Sequence, residues 1–209
     1  MITEIYADYF DNLIKGNRSA CLQTVKELLD DGIDIKTLYL DLFQGTLYEV
    51  GELWEGNRIS VASEHLATSI TESAMGMVQP LIFSRDRCGK KSVVACAANE
   101  FHQVGGKMVA DILELHGWDG YFLGANTPIA DLLAMVREKH PDLVCLSLSI
   151  YSNLPQLIKT IEALQEEFPQ IEIRVGGQAF RWGGREAVEQ YPGVRLFPTL
   201  DDLEQYLMG

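Results

Sequence analysis

A chain of 209 residues, 47% of them hydrophobic and 22% charged, holds enough apolar material for one large globular domain or two small ones. Its formal net charge of −13 excludes a surface that grips nucleic acid, because phosphate binding is driven by Lys and Arg and no basic cluster occurs locally. No signal peptide opens the chain and no apolar run is long enough to span a bilayer, so a cytoplasmic protein is expected.

From Met1 to about Phe83 the pattern is helical throughout. "TEIYADYFDNLIKG" places apolar residues at helical spacing, with Thr3 as the expected N-cap and Gly16 as the stop. "RSACLQTVKELLDDG" repeats the pattern and ends at Gly32. "DIKTLYLDLFQGTLYEVGELWEGN" follows as a third helix, and "ISVASEHLATSITESAMGMVQPLIF" as a fourth, with Ser60 as N-cap and a break expected at Pro80. Helices joined by short connections predict a small antiparallel four-helix bundle over residues 1–84.

After "SRDRCGKK" apolar strand-like runs alternate with amphipathic helices. The runs are "SVVACAA", "GYFLGA", "PDLVCLSLSI", "IEIRVGG" and "VRLFPT". That alternation predicts an α/β domain over residues 90–209, a doubly wound parallel sheet of flavodoxin-like type with ligands at the carboxyl ends of its strands. "EFHQVGG", "GANTP", "SIYSN" and "GGQAF" all fall on that edge. Of the four cysteines, Cys21, Cys88, Cys96 and Cys145, none has metal-type spacing, and Cys96 and Cys145 read as buried reduced thiols within strands.

His102 lies between the first strand and its helix, with Glu100 two residues before it and Gly105–Gly106 after it. It reads as a loop histidine or as a metal ligand. In the second case Glu100 would accept from one ring nitrogen and leave the other for a metal, and the glycines would admit a bulky group to the backbone. A phosphate loop is a poorer match, since "HQVGGK" lacks a full GxGxxG or GxxxxGK[ST] pattern. The arrangement resembles the cobalamin-binding domain of methionine synthase, corrinoid carrier proteins and cobalamin-dependent mutases. Their pattern is Asp-x-His-x-x-Gly, then Ser-x-Leu after the third strand, then Gly-Gly after the fourth. Here it reads Glu100, His102 and Gly105, then Ser147 and Ser149, then Gly176 and Gly177. The resemblance implies that His102 ligates cobalt from below, while Ser147 and the Gly176–Gly177 turn line the slot of the nucleotide tail. Glu100 in place of Asp lengthens the arm, and Ser149 in place of Leu alters packing.

In the helical half, Trp54 is followed, after nine intervening residues, by Glu64–His65, with Val61 on the same first turn. Read from the residues, this is either a core tryptophan beside a solvated Glu–His pair or a ligand-facing group. The spacing resembles the upper-face motif of the CarH-type adenosylcobalamin photoreceptors, which implies that Trp54, Val61, Glu64 and His65 contact an adenosyl group held between a helical cap and the α/β domain. Glu55 stands where the repressor-type sensors carry a second cobalt-ligating histidine, so water or His65 would take that position after photolysis. Those sensors also carry an N-terminal DNA-binding domain, and none is expected here.

The resemblance implies a light sensor in which cleavage of the Co–C bond of adenosylcobalamin changes conformation or oligomer and signals through a protein partner, with a homo-oligomer expected. A corrinoid methyl carrier of a methyltransferase system is the alternative, and a plain cobalamin store the third reading. No catalytic Ser-His-Asp or carboxylate pair is present, so the chain is not expected to be an enzyme. His116 and His140 are expected as helix-end caps, and Arg181, Trp182 and Arg185 as an ordinary loop.

Overall fold

The computed structural model describes residues 2–83 and 85–208. The chain divides into two compact units, Met1–Ile82 and Phe83–Gly209. Among the described residues no helix is long and apolar enough to cross a membrane.

The first unit is helical: α1 (Ile2–Ile14), α2 (Arg18–Asp30), α3 (Ile35–Thr37), α4 (Gly45–Glu55) and α5 (Val61–Phe83). α1 takes in Thr3, whose side chain lies outside the described residues, so its expected capping role does too. Gly16 and Gly32 end α1 and α2 at positive φ, +70° and +77°. Gly16 is also held by packing, since a Cβ there would sit 2.5 Å from the Leu66 Cδ2 atom. The Arg18 guanidinium at the start of α2 donates to the Ser73 and Ser69 hydroxyls of α5. The core gathers Tyr9, Leu13, Val25, Tyr39, Phe43, Ile70 and Met75, all fully buried, each worth about 1.5–3 kcal/mol of transfer free energy. Tyr9 and Tyr39 tilt against Phe43, with ring centroids 6.4 and 5.7 Å away.

Two helical expectations need correction. The third helix is not uniformly α: Leu38–Gln44 between α3 and α4 is a π-helix, with the Gly45 N–H reaching back to the Leu40 carbonyl. The wider turn sends Leu38, Tyr39, Leu42 and Phe43 into the core, and the Thr46 hydroxyl donates to the Leu42 and Phe43 carbonyls at the junction. The break at Pro80 is also absent, since α5 continues to Phe83. Pro80 lies only three residues from that end, and burial of Val78 and Ile82 on either side offsets the cost of about 3 kcal/mol of a helical proline.

The second unit alternates β1 (Lys91–Cys96), α6 (Val104–Leu115), β2 (Asp119–Phe122), α7 (Ile129–Lys139), β3 (Leu143–Ser147), α8 (Leu154–Glu167), β4 (Glu172–Gly176), α9 (Arg185–Glu189), β5 (Val194–Leu196) and α10 (Leu200–Met208). The five strands are parallel in the order β2-β1-β3-β4-β5, the flavodoxin-like doubly wound arrangement. Val93, Val144, Ile173 and Val194 bury one face with Val136, Leu157, Ile161 and Leu164. α6 and α10 cover the other face. Strand order reverses between β1 and β3, so the loops after these two strands diverge and open the crevice where such folds bind ligands.

Candidate functional site

The loop from β1 to α6 carries Glu100 and His102 to that crevice, and its geometry is built on Glu100. The carboxylate is fully buried. Its Oε1 accepts from the His102 ring Nδ1 at 2.7 Å and from the His102 backbone N–H at 2.9 Å. Its Oε2 accepts from the backbone N–H groups of Ser149 and Ile150, both at 2.9 Å, in the loop after β3. The longer Glu arm thus bridges the two loops of the crevice. Burial alone would raise this carboxyl, but the hydrogen bonds from His102, Ile150 and Ser149 outweigh it and hold the group below its ordinary value.

An ionised carboxylate only accepts, so the His102 Nδ1 carries a proton toward Glu100, and in the neutral form of the ring the lone pair lies on Nε2. This is the second-sphere arrangement that orients an imidazole for a metal. The His102 side chain is 42% exposed, which leaves the ring accessible from the sheet edge. Next to it, the Cys96 thiol lies 3.7 Å from the His102 carbonyl oxygen, and burial pushes it up to about 12, so it stays protonated.

The other α/β candidates gather around Ser147. Ser147 ends β3, is buried, and is flanked in register by Cys96 and Gly176. Gly105 is exposed, and a Cβ there would meet only the Ser147 hydroxyl within 4 Å, at 3.8 Å, so the space beside Gly105 is open. Gly106 differs from the expectation that both glycines admit a ligand. It is buried, and a Cβ there would press on Cys96 and Phe122 at 3.3 Å, so it brings α6 onto the sheet instead. Gly177, at φ +114°, admits no side chain, because a Cβ would lie 2.1 Å from the Leu148 carbonyl oxygen. A buried carboxylate orienting an exposed imidazole, with open space at Gly105 next to a buried serine, fits a corrinoid with one protein ligand to its metal.

In the helical unit, Ser60 caps α5 by accepting from the Ser63 N–H at 3.1 Å. Glu64 is mostly buried, and its two oxygens contact the His65 ring Nδ1 and the Thr68 hydroxyl. The other helical candidates face solvent: His65 is 73% exposed, Val61 51% and Trp54 38%.

Several contributors escaped the sequence reading. Asn126, Asn153 and Gln103 brace the loop around Glu100 through side-chain hydrogen bonds, the first two to the backbone of Asn99. Their one legible signal is asparagine in loops, where it tolerates positive φ. The backbone donors of Ser149 and Ile150, and the Thr68 hydroxyl, left no signal. His116 ends α6 as expected, but its ring pairs with Glu204 of α10 at 3.1 Å. His140 ends α7 at φ +48°. Arg181 and Trp182 close a short 3₁₀ turn, Gln178–Trp182, and Arg185 begins α9.

Two family models, each described as a B12 binding domain, match residues 90–197 and residues 5–79. The HTH-type transcriptional repressor CarH of Myxococcus xanthus is 29% identical over 161 residues, covering 76% of this chain and 52% of the repressor. The chain therefore spans about half the length of that relative. Trimethylamine corrinoid protein 1 of Methanosarcina acetivorans is 24% identical over 179 residues, 83% of each chain. The solved monomethylamine corrinoid protein of Methanosarcina barkeri superposes with a TM-score of 0.85 at 15% identity, covering 100% of this chain and 99% of that one, a likeness of fold.

Proposed function

The chain belongs to the B12-binding domain family and binds cobalamin, and from that premise we propose that it is a light-responsive adenosylcobalamin module. The observation that carries this reading is the Glu64–His65 pair. Glu64 is clamped by Thr68 on a helix that also displays Val61, with Trp54 exposed at the end of α4. A fixed carboxylate, an exposed imidazole and an indole suit an upper ligand with ribose hydroxyls and a purine face. A bare methyl group offers none of these partners. Similarity to CarH supports the same reading.

His102 would ligate from below through Nε2, held by Glu100, with the space beside Gly105 and Ser147 receiving the nucleotide tail. Bound adenosylcobalamin would supply a cobalt–carbon bond that visible light breaks. Trp54, Glu64 and His65 would then lose their contacts, and the changed surface would be read by a second copy or a signalling partner. On this reading the chain catalyses no reaction of its own.

The match over 83% of the trimethylamine corrinoid protein favours a second reading, a corrinoid methyl carrier that works with a methyltransferase. Visible spectra of the adenosylcobalamin-loaded protein in the dark and after green light, with elution volumes, separate the two. A light-driven spectral change with an altered elution volume is expected. Loading without any light-dependent change in shape, or tighter binding of methylcobalamin, would move the assignment to the carrier.

A further inference from the structure

The loop that presents His102 is held from a side that the cofactor residues do not occupy. Asn126, in the loop between β2 and α7, sits at φ +48°, and Asn99 at φ +66°. The Asn126 side-chain oxygen accepts from the Asn99 N–H at 2.9 Å, and the Asn126 N–H donates to the Glu100 carbonyl at 2.7 Å. The Asn126 residue thus grips both peptide units that flank the Asn99–Glu100 bend. The Asn153 side-chain amide donates to the Asn99 carbonyl at 3.0 Å from the loop after β3. Gln103, on the far side of His102, accepts from the Ala125 N–H at 3.1 Å.

We propose that Asn126 is a positioning residue for the lower cobalt ligand. Its left-handed backbone and side-chain oxygen lock the Asn99–Glu100 bend, so that Glu100 meets the His102 ring and the β3 loop together before cobalamin arrives. A residue with a Cβ but no side-chain acceptor would resist positive φ and leave the Asn99 N–H without its partner. The Glu100 carboxylate would still be buried, but its approach to Nδ1 would no longer be set by the backbone. Asn99 and Asn126 are both exposed, so this tie can be cut without opening a cavity. The inference rests on His102 being the ligand.

The test uses the full chain with its histidine nitrogens isotopically labelled, loaded with cobalamin and reduced to the cobalt(II) state. Electron paramagnetic resonance then reports whether a protein imidazole is axial, and a titration gives the affinity. Asn126→Gly keeps the backbone conformation and removes the oxygen. It should weaken cobalamin binding about tenfold, the low end for an outer-sphere partner, and reduce the histidine-coordinated fraction, with the thermal unfolding midpoint close to that of the parent. Asn126→Asp, which retains the acceptor and tolerates positive φ, should restore both. A parent-like histidine signal and affinity in Asn126→Gly would overturn the inference. Persistence of the histidine signal in His102→Ala would instead remove the ligand assignment on which it stands.

Discussion

The two units carry their candidate residues in opposite ways. In the α/β unit these residues are part of the fold: Glu100 ties two loops together, and Gly177 lies against the Leu148 backbone just after β3, where no side chain fits. In the helical unit, Trp54, Val61 and His65 project into solvent, outside a core formed without them. The candidate residues of the α/β unit are thus set in place by folding itself. The candidates of the helical unit add little to folding, which leaves them available to a ligand.

Substitutions sharpen that contrast. Gly177→Ala should have the largest effect, about 4 kcal/mol or more by urea denaturation, because a backbone carbonyl has to move. Glu100→Gln should cost about 2 kcal/mol, since backbone donors would face an amide in place of a carboxylate. It should also weaken cobalamin binding about 10- to 100-fold by equilibrium titration.

The stability difference between parent and Glu100→Gln should depend on pH in one direction. The carboxyl is held below its ordinary value in the fold, so its contribution is fully present above the unfolded value near about 4.3. It fades as the pH falls through the lower folded value. A difference that grew on acidification would contradict the bonding described for Glu100.

The smallest stability effects belong to the helical candidates. His65→Ala should stay within about 0.5 kcal/mol, and Trp54→Ala should cost about 1 kcal/mol or less, by the same denaturation. On the proposed light-responsive function, both should nevertheless abolish or shrink the change in elution after illumination. Large losses of stability here would erase the distinction between the two units.

The sequence was most legible where side chains carry the signal. Alternating apolar runs and amphipathic helices marked the parallel sheet, and the glycine–histidine pattern marked its carboxyl edge. The π-turn at Leu38–Gln44 was not legible, because its buried residues have a spacing that an α-helix also allows. The proline at position 80 misled because neighbouring burial decided the outcome. The hold on Glu100 was only half legible. His102 showed its side, whereas the donors from Ser149 and Ile150 are main-chain groups that any residue except proline supplies.

That last property has an evolutionary consequence. Position 149 holds Glu100 through its backbone N–H, so a different side chain there leaves that donor in place. Position 177 has no such latitude, since even the smallest added carbon collides with Leu148. Serine at 149 in place of leucine is therefore a change the architecture absorbs, and proline is the replacement it would reject.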